Sequence, residues 1–406
     1  MAILFKNAGS LVSNSSAGEG ELGVFSSAAF ISDDEGTVAW VGAESEVPQA
    51  YAAADMVDLK GGLVLPGLVE CHTHLVFAGN RTLDYAARCS GVSYEDVAAR
   101  GGGIRLSVRE TRAASREELL RLGRERLQEF LTYGVTTVEI KSGYGLSYEH
   151  ELKCLEVIAE LAAEGPMRIE ATVLGAHIVP DEYADRRAEY IARLTDRLLP
   201  EVADRKLARF VDVFCEMGAY TVAETRQILE CAQGLGLGIK LHAEQLSRTG
   251  ASLLAAEFGA VSADHLEYVD AEDAQALALA GTVAVLLPGA GIFLGGAKKP
   301  PARLLLEAGV KVALSTDFNP GTCPSTHLPM MTTLGCSWLG LSAEEALQAV
   351  TINAASALAL QDGRGSLSVG SPCDFSVQRL GSWQEIPYRF GHNAVEQVWI
   401  AGNRVL

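Results

Sequence analysis

Eight short apolar runs alternate with helical patterns through the middle of the chain, from about residue 59 to 360. Each run is nearly continuous in apolar character and is followed by polar residues, which is typical of strands buried on both faces. Eight such strands, separated by helices, predict a parallel sheet closed into a (β/α)8 TIM barrel. An open doubly wound sheet is the alternative, but no GxGxxG motif follows the first strand. The runs are LVLPGLVECHTH, GVTTVEIK, IEATVLGAH, FVDVFCE, IKLHAE, SADHLE, TVAVLLP and KVALSTD.

Both ends of the chain have a different pattern. The first 58 residues contain short β-type segments separated by Ser, Gly and Glu turns, and the last forty return to this pattern. The final segment, AVEQVWIAGNRVL, contains a hairpin-like AGNR turn. We therefore predict an α/β protein in which residues 59–360 form the barrel catalytic domain. Residues 1–58 plus 361–406 are expected to form one small β-sandwich domain.

Charge and composition restrict the partners. The chain has 33 Lys and Arg against 51 Asp and Glu, a formal net charge of −18. Such an acidic surface repels phosphate backbones and anionic lipids, which argues against nucleic-acid or membrane binding. No apolar run reaches the roughly 18 residues of a membrane span, and no secretory signal is visible. The eight cysteines form no CxxC pair, which is typical of reduced thiols, so we expect a cytoplasmic protein.

Potential metal ligands end several of the predicted strands, where a barrel has its active site. His72 and His74 are two residues apart on an extended segment, so their side chains face the same way. Alone, this pair is also consistent with two partly exposed loop histidines. With His242 and Asp317 at later strand ends, it predicts a site for one Zn or Fe ion with a position left for water. A second ion would need Glu216 as a bridging carboxylate, and we predict one ion.

This ligand set favours hydrolysis. A bound cation lowers the pKa of water and polarises a carbonyl oxygen, which suits attack on an amide, cyclic amide or amidine. Asp317 is expected both to bind the metal and to accept the proton of the water. His265, which ends the sixth predicted strand, is expected to hold or protonate the developing oxyanion. The alternative for His265 is a hydrogen-bonded core histidine.

These residues, in this order, resemble the amidohydrolase superfamily and, within it, the imidazolonepropionase family. The resemblance extends over nearly the whole chain. It implies a hydrolase that opens the cyclic amide of 4-imidazolone-5-propanoate to give N-formimino-L-glutamate, a step of histidine degradation. The segments that support it are LPGLVECHTHLVFAGNR, GGGIRLSVRETRAAS, VEIKSGYGLSYEHELK, TVLGAHIVPDEY, KLHAEQLSRTG, SADHLEYVD, STDFNPGT and VTINAASALAL.

The resemblance also implies roles for individual residues. A substrate with a propionate tail needs a carboxylate anchor, and a bidentate guanidinium is well suited to that task. Arg81 follows His74 by seven residues and is expected to supply it. The positions matching the family's metal ligands are His72, His74, His242 and Asp317. Those matching its substrate contacts are Arg81, Tyr144, His177, Asn319, Gly321 and Thr322.

One position departs from the family pattern. Gln245 occupies a site where other members carry glutamate, and an amide cannot accept a proton. We therefore expect Gln245 to act in catalysis by orienting the substrate, while Asp317 and His265 transfer the proton. Glu244 is the reserve candidate for the general base, provided that its strand continues far enough for it to face with His242.

Two other functions are consistent with the same residues. A different barrel amidohydrolase, such as a nucleobase deaminase or a dihydroorotase-like enzyme, would share the metal ligands. A metal-free relative could serve as a scaffold, although complete retention of the four ligands argues against it. The sequence does not distinguish Zn from Fe, and the expectation of a homodimer comes from the resemblance alone.

Overall fold

Two sheets organise the protein, whose computed structural model describes residues 2–92, 96, 101–296 and 298–406. One sheet is parallel and comes from the middle of the chain, and the other is built from both termini. The strands of the described residues are β1 (Ile3–Val12), β2 (Val24–Ser32), β3 (Val38–Ala43), β4 (Asp55–Asp58), β5 (Leu63–Pro66), β6 (Leu68–Glu70), β7 (Val135–Lys141), β8 (Arg168–Ala176), β9 (Phe210–Cys215), β10 (Gly238–Ala243), β11 (Ser262–His265), β12 (Val283–Leu286), β13 (Val312–Leu314), β14 (Phe375–Gln378), β15 (Val395–Ile400) and β16 (Asn403–Arg404).

Helices follow most of the parallel strands, and several begin at residues that the sequence marks as caps. The hydroxyl oxygen of Ser115 accepts the backbone N–H of Glu118 at 3.2 Å, a contact that stabilises a helix start by about 1 kcal/mol. No helix among the described residues combines the length and apolar character needed to cross a membrane. The helices are α1 (Thr82–Cys89), α2 (Ile104–Ala113), α3 (Arg116–Thr132), α4 (Tyr148–Glu164), α5 (Arg187–Arg193), α6 (Leu199–Asp204), α7 (Val222–Gly234), α8 (Ala251–Glu257), α9 (Ala271–Ala280), α10 (Pro288–Phe293), α11 (Ala302–Glu307), α12 (Leu328–Leu334), α13 (Ala343–Ala349), α14 (Ile352–Ser356) and α15 (Glu385–Tyr388).

The parallel sheet contains β6 to β13 in chain order, and each strand pairs with the next. Its two edges meet beyond the ends of β6 and β13, where Thr73 forms a parallel bridge with Phe318. There the backbone N–H of His74 donates to the carbonyl of Phe318 at 2.9 Å. The edges of the sheet are thus joined, and the predicted (β/α)8 barrel is confirmed. Its strands are almost wholly buried, which explains their apolar runs.

The first predicted barrel strand is divided between the two sheets. β5 pairs with β1 and β14 of the terminal sheet, whereas β6 pairs with β7 of the barrel. The chain changes sheet at Gly67, where a methyl group would lie 2.1 Å from Oγ1 of Thr136. Only glycine fits this close approach without a shift of the neighbouring strand. The terminal sheet therefore extends to Pro66, beyond the boundary expected at residue 58.

The terminal sheet encloses its own aromatic core. The rings of Phe5 and Trp399 have centroids 5.0 Å apart, although their strands, β1 and β15, are three positions apart in the sheet. In a flat sheet three strand spacings would separate them by about 14 Å. The sheet therefore curls back on itself around Phe5, Phe30 and Phe375, consistent with the small β-domain expected from the two ends of the chain.

Candidate metal and substrate site

Three buried histidines converge at the carboxyl ends of β6 and β10. The Nε2 atoms of His74 and His242 lie 3.4 Å apart. One ring nitrogen each from His72, His74 and His242 lies within 4.8 Å of the other two. Nitrogen ligands at about 2.0–2.1 Å from a tetrahedral Zn²⁺ would be about 3.3 Å from one another. The spacing of the rings therefore suits a shared metal ion.

Buried carboxylates hold the outer nitrogens of two of these rings. Nδ1 of His72 lies 2.6 Å from Oδ2 of Asp264, and Nδ1 of His242 lies 3.0 Å from Oδ2 of Asp212. Donation from Nδ1 to a carboxylate leaves Nε2 free to bind a metal. Nε2 of His72 is buried and has no hydrogen-bond partner among the described residues. Burial also lowers the pKa of His72 well below its ordinary value, so the ring is neutral and the donor set fits a divalent cation.

Asp317 reaches the same place from the loop after β13. Its Oδ1 lies 3.5 Å from Nε2 of both His72 and His74, and its Oδ2 accepts a hydrogen bond from Oγ1 of Thr322 at 3.3 Å. The backbone of Asp317 is left-handed, with φ at 54°, a conformation that in non-glycine residues is concentrated at functional sites. Burial raises the pKa of its carboxyl group. Its roles as fourth ligand and proton acceptor stay predictions.

His265 lies beside the ligand set at the end of β11, and it is also left-handed, with φ at 83°. Its ring centroid lies 5.2 Å from that of His242. Its Nδ1 is 3.9 Å from Oε1 of Glu267, beyond a hydrogen bond, so Glu267 acts as a nearby negative charge. Burial would lower the pKa of His265, but Glu267 and Asp317 together raise it above its ordinary value. A ring that gains a proton in this way can donate to a developing oxyanion.

The segment after β10 carries Glu244 and Gln245, and its conformation determines which of the two side chains faces the cavity. β10 ends at Ala243, and Glu244 turns away with φ at 53°. Its carboxylate accepts backbone N–H groups of Thr249 and Gly250 at 2.6 and 3.0 Å. Glu244 therefore shapes this loop and does not line the cavity, which makes the reserve candidate for the base wrong. Gln245 does line the cavity, and its orienting role stays a prediction.

Glu216 is also occupied elsewhere. Its carboxylate accepts the backbone N–H groups of Met217 and Leu246 at 2.9 and 2.8 Å, and it bonds the hydroxyl of Ser247. It thus fastens the loop after β10 to the end of β9. The group of potential metal ligands found among the described residues contains only the three histidines, so a bridging role for Glu216 has no support.

A cavity of about 700 Å³ opens above the histidines. Basic, aromatic and amide side chains line it, together with apolar side chains such as Ile178 and Leu294. Of the residues predicted to bind metal or substrate or to act in catalysis, those that line the cavity are His74, Arg81, Tyr144, His177, His242, Gln245, His265, Asp317, Asn319 and Thr322.

Arg81 is held at the wall of this cavity and is only 7% exposed. Its Nε lies 3.0 Å from Oδ2 of Asp84, and the same oxygen accepts the backbone N–H of Gly103 at 2.8 Å. A methyl group on Gly321 would lie 2.2 Å from Nη1 of Arg81, so the guanidinium packs directly against the backbone of this glycine. Gly321 therefore contributes to the site by leaving room for the arginine.

Tyr144 and His177 form the adjacent wall. The His177 ring stacks on His74 with centroids 5.1 Å apart, and the centroid of Tyr144 lies 5.5 Å from that of His177. Burial lowers the pKa of His177 to about 3, so the ring is neutral. Its Nδ1 lies 3.0 Å from the carbonyl of Gly143, to which it donates. Its Nε2 is consequently an acceptor.

Asn319 organises the loop that carries the other predicted substrate contacts. Its Oδ1 accepts the backbone N–H groups of Gly321 and Thr322 at 2.7 and 2.8 Å. Its Nδ2 donates to the carbonyl of Asp317 at 2.7 Å. Asn319 therefore fixes the loop that presents Asp317, and a direct contact between Asn319 and substrate stays a prediction.

The sequence places Lys141 at the end of the second barrel strand as an ion-paired residue, but sequence reasoning missed the carboxylates that surround it beneath the histidines. Lys141 is fully buried, and its Nζ lies 2.8 Å from Glu139 and 2.9 Å from Asp212. Burial alone would lower the pKa of Lys141, but the surrounding carboxylates raise it above its ordinary value. A signal was available, because a lysine that ends a strand buried on both faces requires carboxylate partners.

Fold and site together define a class, the amidohydrolases. A model of the amidohydrolase family matches residues 91–406, more than half of the chain. An adenosine deaminase from Xanthomonas campestris with bound zinc has a similar structure, with a TM-score of 0.76 and 20% identity. The match covers 100% of this chain and 92% of that one. At this identity the likeness supports the fold alone.

Curated relatives narrow the class to one family. The imidazolonepropionase of Paracidovorax citrulli is 47% identical over 363 residues, which cover 89% of this chain and 87% of the relative. The imidazolonepropionase of Pseudomonas putida strain GB-1 is 46% identical over 387 residues, covering 95% of this chain and 96% of the relative. The chain belongs to the imidazolonepropionase family.

Proposed function

We propose that the protein hydrolyses the cyclic amide of 4-imidazolone-5-propanoate to N-formimino-L-glutamate, with one Zn or Fe ion. The main support is that a buried arginine lines the same cavity as His74 and His242, two of the three convergent buried histidines. The family of the relatives and the fit of a small ring with a carboxylate tail agree with this activity. A cytoplasmic location and a homodimer are expectations from the sequence and stay predictions.

His72, His74, His242 and Asp317 would hold the ion. When bound there, it supplies a Lewis acid that polarises a carbonyl oxygen and lowers the pKa of water. The substrate carboxylate would bind the guanidinium of Arg81, which is aligned by Asp84. This contact would fix the ring at the inner end of the cavity. The entropy of orientation is then lost on binding and does not add to the barrier of the reaction.

The remaining residues would move protons and orient the ring. Asp317 accepts a proton from the attacking water, a C–O bond forms, and the C–N bond of the cyclic amide breaks. The same proton then passes to the leaving ring nitrogen, so that water is added across the amide bond. His265 donates to the developing oxyanion. His177, whose Nε2 is an acceptor, binds a ring N–H, while Tyr144 and the Gln245 amide orient the ring.

A nucleobase deaminase is the second candidate, because it would use a similar ligand set. A nucleobase carries no carboxylate, so a buried arginine aligned by Asp84 at the cavity wall would have no partner on such a substrate. The geometry around Arg81 therefore favours a substrate with an anionic tail.

The decisive test measures metal content together with hydrolysis of 4-imidazolone-5-propanoate, cytosine and guanine by the same preparation. We expect about one ion per chain and turnover of the imidazolone alone. Arg81→Ala should raise KM for the imidazolone about 30-fold or more, a loss of about 2–3 kcal/mol. The matched control is 4-imidazolone without its propionate, on which Arg81→Ala should have no effect. Turnover of a nucleobase in place of the imidazolone rejects the proposal.

A further inference from the structure

Lys141, at the end of β7, lies beneath the histidines at the centre of a buried group of carboxylates. Its side chain is 0% exposed. Its Nζ lies 2.8 Å from Oε1 of Glu139, 2.9 Å from Oδ2 of Asp212 and 3.5 Å from Oδ2 of Asp264. An ammonium group has three N–H donors and no acceptor, so three carboxylates match what it can satisfy.

Each of the three carboxylates contacts a different part of the histidine set. Asp264 lies 2.6 Å from Nδ1 of His72, and Asp212 lies 3.0 Å from Nδ1 of His242. Oε2 of Glu139 accepts the backbone N–H of Thr73 at 3.3 Å, between His72 and His74. Lys141 thus connects to His72 and to His242 through one carboxylate each, and through Glu139 to the backbone of the residue between His72 and His74.

We propose that Lys141 is a positioning residue that sets the metal affinity of His72, His74 and His242 by fixing these three carboxylates. The proposal rests on the metal site of the proposed function. The physical reason is that the three carboxylates are fully buried and close to one another. Without a cation among them they would repel one another and turn away. The rings of His72 and His242 would then lose the acceptors that orient them, and such acceptors typically contribute 10- to 100-fold to metal affinity.

Lys240 offers a matched control inside the same barrel. It is also 0% exposed and lies on β10, two residues before His242. Its Nζ donates to the carbonyl of Ala357 at 3.0 Å, and its charge acts on Asp264 without a direct ion pair among the described residues. Loss of Lys240 removes a buried charge near Asp264 but no contact that orients a carboxylate, so it should disturb folding without reorienting the rings.

The experiment measures the Kd for Zn²⁺ of metal-stripped full-length protein by competition with a chromophoric chelator. We expect Lys141→Met to raise this Kd 10- to 100-fold and Lys240→Met to change it less than twofold, with both variants folded by circular dichroism. In an Asp264→Asn background, the effect of Lys141→Met should be at least threefold smaller, because one route of action is already lost.

The outcomes separate this inference from the metal site itself. If the wild-type protein binds no Zn²⁺, the metal site fails, and the role of Lys141 fails with it. If the wild type binds Zn²⁺ and Lys141→Met keeps its Kd, only the role of Lys141 is overturned. Equal losses in both lysine variants likewise overturn it. If Lys141→Met does not fold, Glu139→Gln/Lys141→Met is compared with Glu139→Gln, and a Kd raised less than threefold overturns the proposal.

Discussion

At the scale of single residues, the chemistry of the site depends on neutral histidines. A neutral imidazole offers one nitrogen to a metal while the other donates to a carboxylate or carbonyl. Burial keeps His72 and His74 neutral by lowering their pKa values, and His177 is neutral for the same reason. The ring beside them, His265, has a raised pKa because Glu267 and Asp317 lie close to it. Environment thus shifts the pKa of one residue type in opposite directions within one site, which suits the two proposed roles.

Asp317→Asn tests the carboxylate at the site. We expect kcat to fall by a factor of about 10² or more, since an amide can neither accept the proton of the water nor bind the cation as strongly. The measurement is kcat together with metal content per chain. A kcat within tenfold of the wild type, at full metal content, would mean that another group accepts the proton.

Gly321→Ala tests the packing of Arg81. The added methyl group would lie 2.2 Å from Nη1 of the arginine, so the guanidinium must move. We expect KM for the imidazolone to rise about tenfold with a smaller change in kcat, because the binding of the carboxylate tail is disturbed. Gly234→Ala, a position with no atom within 4 Å of the added carbon, is the control and should leave KM unchanged. An unchanged KM in Gly321→Ala would show that the tail binds elsewhere.

At the scale of elements, the point where each strand ends determines which side chains face the cavity. β10 presents His242 toward the cavity and stops at Ala243, and the left-handed Glu244 then turns its carboxylate into the following loop. Strand periodicity in the sequence predicts which residues share a face, but it does not tell where the strand ends. The assignment of Glu244 as reserve base failed for that reason. The strand stops before Glu244, and the positive φ of this residue turns its side chain away from the face that His242 occupies.

The start of helix α7 contains an ion pair whose contribution to the stability of the protein should depend on pH. The carboxylate of Glu224 pairs with Arg187 at 2.7 Å and caps the helix at Thr221. The hydrogen bond with Arg187, the largest effect, lowers the pKa of Glu224 to about 2 from an ordinary value of 4.5. A lowered folded-state pKa means that this stabilisation is present above about pH 4.5 and is lost as pH falls toward 2.

We therefore expect Glu224→Gln to lower Tm at pH 7. The corresponding loss is about 1 kcal/mol, a discounted value because solvent screens part of the pair. The gap in Tm between the variant and the wild type should narrow as pH falls from 4.5 toward 3. Glu230→Gln, an exposed residue of the same helix, is the control and should leave Tm unchanged. A gap that stays constant over this range would contradict the assigned pair.

At the scale of the whole molecule, the site depends on barrel closure. His72 and Asp264 are 192 positions apart in the chain, but Nδ1 of His72 lies 2.6 Å from Oδ2 of Asp264. The strands that precede His74 and Asp317 are joined where Thr73 forms a parallel bridge with Phe318. Because a metal ion would join residues from both edges of the barrel, metal binding should stabilise the fold as a whole.

Removal of the metal tests this coupling. A ligand at 1,000 times its Kd stabilises the folded state by about 4 kcal/mol. We expect chelation to lower Tm by about 5 °C or more, as measured by thermal unfolding with and without added Zn²⁺. A His72→Ala/His242→Ala variant should be insensitive to both chelator and Zn²⁺. If the wild-type Tm is the same with and without metal, the coupling between site and barrel is wrong.

The sequence by itself determined the barrel, the family and most of the polar residues that line the cavity. Burial on both faces of a strand leaves a continuous apolar run that can be read along the chain, and the polar residues that end such runs mark the rim of the barrel. The sequence motifs around His72, Tyr144 and Asp317 indicated the family by resemblance. None of this required knowledge of contacts between distant residues.

Only the tertiary structure decided which groups support these residues. That Asp264 holds His72, that Lys141 lies among three carboxylates, and that Gly321 makes room for Arg81 depend on strand register and barrel closure. The division of the first strand at Gly67 depends on them too. Register is set by the packing of every strand at once, whereas periodicity is a local property of each segment. A single chain therefore reveals its elements more readily than the contacts between them.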